Sequence, residues 1–221
     1  MSNFQILTSI YKTLLKTFGH QNWWPAETAD EIIIGAILTQ NVSWNNVEKA
    51  IINLKQYNLC TLEQIHHSNI DEIAPLIRST LYFNRKAKKL QNFTEFLFTY
   101  YNGDVCKMFQ TEIRTLRKQL LQINGIGEET ADSILLYAGA KPVFVIDAYT
   151  KRIFTRLGLT RQNWNYAEYQ KFFMKNLPED IELFNDYHAQ IVYLGKHFCK
   201  RKPLCDECPL NSFCERNKLS I

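Results

Sequence analysis

Leu120-Leu121-Gln122-Ile123-Asn124-Gly125-Ile126-Gly127 is the stretch on which the reading of this chain turns. It separates two segments with helical apolar spacing, Ile113 to Gln122 and Glu128 to Tyr137. Gly125 and Gly127 allow backbone conformations closed to other residues and clear side chains from the turn. Amides of the turn, and of the helix N-terminus after it, can then face a phosphate. Ile123 and Ile126 are placed to plug the hairpin against its own helices, and Ala131 and Ile134 continue the apolar face of the second. This is a helix-hairpin-helix pattern. An ordinary αα-hairpin is the alternative, and the flanking apolar positions weigh against it.

Outward from the hairpin the spacing stays helical. Leu7, Ile10, Tyr11, Leu14 and Phe18 mark one face near the N-terminus, and Trp23-Trp24-Pro25 interrupts. Thr28 and Glu31 form a capping-box pattern opening a helix from Ile32 to Thr39. Val47, Ala50, Ile51 and Leu54 trace another, and Thr61 with Gln64 caps a short one. Leu90, Phe93, Leu97 and Tyr100 define a longer helix closed by Asn102-Gly103; Phe184, Tyr187, Ile191, Leu194 and Phe198 define a late one. Only Val143 to Ile146 alternates, too briefly to found a sheet. The expected fold class is all-α.

Bulk composition narrows the function classes less. The 221 residues suffice for one large domain or two small ones, and 46% hydrophobic with 22% charged residues is ordinary for a globular chain. A net charge of +4 is compatible with a polyanionic partner without requiring one. No apolar run is long enough to span a bilayer, and Asn3, Gln5 and Thr8 break a signal-peptide pattern. The expectation is no membrane partner, and a cytoplasmic protein, or a nuclear one in a eukaryote.

Six cysteines are distributed unevenly. Cys60 and Cys106 read as small buried hydrophobes. Cys199, Cys205, Cys208 and Cys214 give C-x5-C-x2-C-x5-C, four thiolates suited to tetrahedral zinc or to a [4Fe–4S] cluster. Spacing alone does not separate these. Lys200-Arg201-Lys202-Pro203, pinned between the first two cysteines, reads as a phosphate-contacting loop in preference to a solvated charge run.

Twenty residues past Gly127, Val143-Phe144-Val145-Ile146 ends in Asp147, first of all an N-cap for a helix whose Ile153, Phe154 and Leu157 face inward. Taken in order, the glycine hairpin, Lys141-Pro142, the apolar run into Asp147 and the four-cysteine loop resemble the helix-hairpin-helix DNA glycosylases of the endonuclease III superfamily. Upstream, Ala36-Ile37-Leu38-Thr39-Gln40-Asn41 resembles the segment whose Gln fills the gap left by an extruded base. Tyr82-Phe83-Asn84-Arg85-Lys86-Ala87 resembles the wedge-bearing loop, so the likeness runs from about residue 28 to 214.

The resemblance implies two helical domains with a cleft between them. Residues 28–137 would form a six-helix domain carrying the hairpin. Residues 1–27 with 138–221 would form the second, with the cysteine loop at 199–214. A monomer would hold double-stranded DNA containing a damaged base and flip the target into the cleft. Gln40, Tyr82, Asn124, Gly125, Gly127, Thr130, Lys200, Arg201 and Lys202 would meet DNA. The four cysteines would hold a [4Fe–4S] cluster, with zinc as the lesser alternative, and Asp147 would be the essential carboxylate.

Bifunctional members carry a lysine after the hairpin that forms a Schiff base with C1′. Here Gly127-Glu128-Glu129-Thr130-Ala131 puts Glu129 at that position, which implies a monofunctional enzyme. Lys151 is the rival amine, read first as a surface or phosphate-binding lysine. Glu129 is either a second acid near Asp147 or a solvated side chain. Trp23-Trp24-Pro25, with Trp44 after Thr39-Gln40-Asn41, is similar to the 3-methyladenine DNA glycosylase III branch. That likeness implies a base pocket of Trp23, Trp24, Pro25 and Trp44, whose rings would hold a cationic alkylated purine; core packing is the other reading. Members of that branch need not keep the cysteine cluster, and the first cysteine interval is one residue shorter than in endonuclease III. An oxidised-pyrimidine glycosylase/lyase and a non-catalytic DNA-binding module are the rival functions.

Overall fold

The computed structural model describes residues 1–214 and contains no strand among them. Its helices are α1 (Asn3–Phe18), α2 (Ala29–Leu38), α3 (Trp44–Gln56), α4 (Leu62–His67), α5 (Ile70–Leu76), α6 (Phe83–Tyr101), α7 (Val105–Gln110), α8 (Ile113–Gln122), α9 (Glu128–Ser133), α10 (Ala148–Arg156), α11 (Tyr166–Asn176) and α12 (Ile181–His197). The chain divides into two compact units, Trp24–Lys141 and Met1–Trp23 with the chain from Pro142 onward. Among the described residues, no helix is long and apolar enough to cross a membrane.

In the unit of residues 24–141, α2 is the central element. Ile33, Ile34, Ala36, Ile37 and Leu38 are all buried, and each of the larger aliphatic side chains contributes about 1.5–3 kcal/mol by leaving water. Thr28 caps α2 by accepting from the Glu31 amide at 3.2 Å. The expected capping box is only half made. Glu31 instead accepts from the Glu27 amide at 2.9 Å and pairs with Lys55 of α3. Complete boxes do form at Thr61–Gln64 and Asn69–Glu72, and they divide the chain into the short α4 and α5. Such short capped pieces raise this unit to the eight helices α2 to α9, against six expected. After α9 the chain widens into a π-turn, Ile134–Ala138.

The other unit packs α1 against α12, with Leu7, Ile10 and Leu14 meeting a face that buries Phe184, Tyr187, Ile191 and Leu194. Val143–Ile146 runs through its interior without regular secondary structure. Phe144 stacks on Phe173 at 4.2 Å between centroids, its carbonyl accepts from Gln170 Nε2 at 2.9 Å, and the Ile146 amide donates to the Tyr166 hydroxyl at 3.3 Å. A buried, hydrogen-bonded segment thus delivers the chain to Asp147 in one fixed position. Cys60 is buried as expected; Cys106 is exposed, because it falls on the outer side of α7, a helix that buries only Met108.

Candidate active site

The hairpin is built by α8 and α9 and clamped by a bidentate pair. Arg117 donates from Nε and Nη2 to the two carboxylate oxygens of buried Asp132 at 2.6 and 2.9 Å. Ile123 and Ile126 are buried beneath the turn as the pattern required. Gly125 has φ +97°, and a Cβ there would run into the Lys89 stem. Gly127 differs from the expectation. Its φ of −97° is open to any residue, and a Cβ would meet nothing within 4 Å. The space beside it, not the backbone angle, is what a side chain would take away. The Asn124 side chain is exposed while its carbonyl accepts from Asn92 Nδ2 at 2.9 Å.

Two expected DNA contacts are engaged inside the protein. Thr130 is buried, and its hydroxyl accepts from Gln40 Nε2 at 2.9 Å, so it faces the hairpin's interior and not an exposed surface. Gln40 Nε2 also donates to the Gly125 carbonyl at 3.0 Å, while Gln40 Oε1 accepts from Lys89 Nζ. Burial and the charge of Arg85 lower the Lys89 pKa. Tyr82 stands out, 67% exposed and left-handed at φ +44°. The sequence reading missed its neighbour Leu81, 56% exposed at φ +56°. Two consecutive non-glycine residues with positive φ are uncommon; nothing local in the sequence marks Leu81.

In the other unit, Asp147 caps α10. Its Oδ1 accepts from the Thr150 amide at 2.7 Å and from the Thr150 hydroxyl at 2.8 Å. Its Oδ2 lies 3.9 Å from Nε2 of His188, a buried residue of α12 that no sequence pattern singles out. Burial lowers the His188 pKa, and the Asp147 charge opposes that shift. Lys151 Nζ sits over the Tyr166 and Tyr169 rings at 5.7 and 5.8 Å, a cation–π position.

Glu129 is exposed on the first turn of α9. Trp24 and Trp44 meet edge to face at 5.2 Å and, with Pro25, Glu31 and Glu48, line one hollow. Trp24 also packs against Gly35 and Tyr137. Trp23 belongs to the other unit.

Cys199, Cys205, Cys208 and Cys214 line a second hollow with Arg156, Pro203 and Leu204. Burial raises the Cys208 thiol pKa, a backbone hydrogen bond at Leu210 opposes the rise, and the three other thiols add to it. Among the described residues, no three His, Cys, Asp or Glu side chains converge as around a single ion. Four thiols lining one hollow are the donor set that an iron–sulfur cluster takes. Arg156 Nη1 donates to Cys199 Sγ at 3.2 Å and to the Lys200 carbonyl at 2.6 Å, and its Nη2 to the Arg201 carbonyl at 3.2 Å. Arg152 ties the carbonyls of Cys199 and Gly195 at 2.9 and 3.1 Å. The side chains of Lys200, Arg201 and Lys202 are left exposed on a loop whose backbone is held.

A profile of the HhH-GPD superfamily of base excision DNA repair proteins matches residues 34–179, and one of the iron–sulfur binding domain of endonuclease III matches residues 200–214. A protein of Methanocaldococcus jannaschii named, provisionally, a DNA repair glycosylase is 51% identical over 217 residues, 96% of this chain and 97% of its own. An endonuclease III of Sulfolobus acidocaldarius is 30% identical over 189 residues, 83% of this chain and 82% of its own. The 3-methyladenine DNA glycosylase of H. pylori, solved with 1,N6-ethenoadenine, aligns with a TM-score of 0.76 at 29% identity, over 89% of this chain and 98% of that one. An endonuclease III solved with DNA shares the fold, with a TM-score of 0.83 at 24% identity over 100% of this chain and 99% of that one. The chain belongs to the HhH-GPD superfamily of base excision DNA repair proteins: it is a DNA glycosylase of the endonuclease III type and carries a [4Fe–4S] cluster.

Proposed function

We propose that this glycosylase is monofunctional, removes alkylated purines and leaves the strand intact. One observation carries the reading. α9 runs Glu-Glu-Thr-Ala-Asp-Ser, with Glu129 exposed where the resemblance expects the Schiff-base lysine. A carboxylate cannot condense with C1′, and Lys151, the rival amine, is held over two tyrosine rings. The paired indoles of Trp24 and Trp44 support a purine-sized, electron-rich pocket, and a relative of 29% identity has been solved with a modified purine.

In this reading Asp147 supplies the chemistry. As the N-glycosidic bond breaks, its electron pair leaves with the base, and a cationic alkylated base departs neutral without needing a proton. Positive charge grows on the sugar, and the Asp147 carboxylate stabilises it. Oδ1 stays tied to Thr150, so Oδ2 is the oxygen left to take a proton from the water that adds its hydroxyl to C1′. Gln40 and the Leu81–Tyr82 turn would probe the duplex, while the hairpin and Lys200–Lys202 hold phosphates. Cys199, Cys205, Cys208 and Cys214 would hold the cluster, which fixes the loop.

The test is base release from duplexes carrying 3-methyladenine, 7-methylguanine, hypoxanthine, uracil or thymine glycol, with and without alkali. Release of a methylated purine, with strand breaks only after alkali, is the expected result. Strand cleavage without alkali, with borohydride trapping abolished by Lys151→Ala, would overturn it.

A further inference from the structure

The first turn of α6 carries a lysine that is almost wholly inside the protein. Lys86 is 2% exposed, and its Nζ donates to the carbonyl of Leu38 at 2.8 Å and to that of Thr80 at 2.5 Å. Leu38 is the last residue of α2, and Thr80 closes a single 3-10 turn, Arg78–Thr80. Terminal carbonyls of a helix lack partners within it and carry the negative end of its dipole. One ammonium therefore caps two chain segments at the point where each leaves its helix.

Each of those two ends leads directly into a segment assigned to probing DNA. Gln40 stands two residues beyond Leu38, and Leu81 and Tyr82 come immediately after Thr80. Leu81 and Tyr82 both hold positive φ, a conformation that persists in non-glycine residues only where the surroundings fix it. One helical turn after Lys86, Lys89 binds Gln40 Oε1 and fills the space at Gly125. An apolar side chain would occupy the Lys86 site at lower cost, since a buried ammonium is desolvated. Burial and the nearby Lys89 lower its pKa to about 8, the mark of that cost. An apolar residue could not, however, hold two backbone ends at a fixed separation.

We infer that Lys86 is a positioning residue that sets the Gln40 loop and the Leu81–Tyr82 turn at one spacing, so that both enter a damaged duplex together. This rests on the reading of those two segments as DNA-probing. Phosphate contacts elsewhere do not depend on it, so Lys86 bears on recognition of a gap in the base stack and not on general DNA affinity.

The test uses the cluster-loaded protein and two duplexes of one sequence, undamaged or with a tetrahydrofuran abasic-site analogue opposite 2-aminopurine. Lys86→Met should keep the melting temperature, the visible absorbance of the cluster and, within about twofold, affinity for undamaged duplex. Its preference for the analogue should fall at least about tenfold, with the 2-aminopurine fluorescence change, and Lys86→Arg should restore most of both. Folded Lys86→Met that keeps the preference overturns the inference. Gln40→Ala and Tyr82→Ala separate the two levels. If they lose the preference while Lys86→Met keeps it, only the Lys86 inference falls; if they keep it, the loop reading falls and takes Lys86 with it. Should Lys86→Met not fold, Lys86→Gln is measured by hydrogen exchange. Amides 39–42 and 81–83 must then lose protection together, and loss in one segment alone, or in neither, overturns the inference.

Discussion

Gln40 Nε2 lies 3.0 Å from the carbonyl oxygen of Gly125, so the side chain read as a DNA probe is docked on the hairpin before any DNA arrives. The contact joins the end of α2 to the turn between α8 and α9, and Lys89 completes it from α6. A probe held this way is pre-ordered, which lowers the entropy lost on insertion.

Gly125→Ala tests how tightly the three elements are fitted. Its φ of +97° disfavours any Cβ, and that Cβ would collide with the Lys89 stem. A loss of about 1–3 kcal/mol is expected from the backbone conformation alone, read as the denaturant midpoint, together with weaker duplex binding. Gly127→Ala should differ. Its backbone is unstrained and its Cβ meets nothing, so stability should change less while duplex affinity falls, if that space is where a phosphate lies. Equal stability losses in the two variants would show that the hairpin does not distinguish its glycines as the structure does.

The contrast between these glycines marks how far the sequence could be read. The hairpin was legible because glycines and apolar residues at short spacing carry it locally. The half-made capping box at Thr28 was not, because Glu31 is claimed by the Glu27 amide and by Lys55, which comes from the next helix. Thr130 looked like a surface donor, yet Gln40, 90 residues upstream, uses it. Asp147 was legible as an N-cap after an apolar run; its approach to His188 depends on α12 packing against α10, which no local pattern encodes. Partners made by long-range packing leave no local trace in the residues that share them.

Asp147→Asn separates the two jobs of that residue. Asparagine caps helices about as well as aspartate, so the amide and hydroxyl of Thr150 keep an acceptor and the melting temperature should move little. Removing the charge takes away the group proposed to stabilise the sugar cation and to accept a proton. A fall of about 10²-fold or more in single-turnover base release is expected, by analogy with loss of other transition-state electrostatic contacts. Equal duplex affinity in the two proteins would locate the loss in chemistry; an unchanged excision rate would remove Asp147 from the mechanism.

His188 gives the fold a pH dependence with a defined sign. In the unfolded chain its imidazole takes up a proton near pH 6.5, whereas the buried ring resists protonation until a lower pH. The unfolded state therefore binds more protons in that window, and stability falls as pH drops below about 6.5 until the folded ring also protonates. His188→Gln should flatten this part of a denaturant-midpoint profile between about pH 7.5 and 5. Because the Asp147 charge holds the His188 pKa up against burial, Asp147→Asn should drive it lower still, a shift that ring-proton NMR would read directly. An upward shift would mean that the two side chains are not in the electrostatic contact seen at 3.9 Å.

Arg156 joins the cysteine hollow to the cationic loop. Its guanidinium bonds Cys199 Sγ and the carbonyls of Lys200 and Arg201. Hydrogen bonds to charged groups are worth about 1.5–3 kcal/mol each, so even one lost bond to a thiolate ligand corresponds to about tenfold in an equilibrium. Arg156→Met should therefore shorten the half-life of the cluster's visible absorbance under a chelator at least several-fold. The same change frees the backbone that holds Lys200, Arg201 and Lys202. Duplex affinity should then fall, and the plot of log affinity against log salt should become less steep, because fewer phosphates are neutralised. Faster cluster loss with an unchanged salt slope would mean that the loop's lysines and arginine do not reach DNA through this hinge. Unchanged cluster lifetime would mean that Arg156 shapes the loop alone.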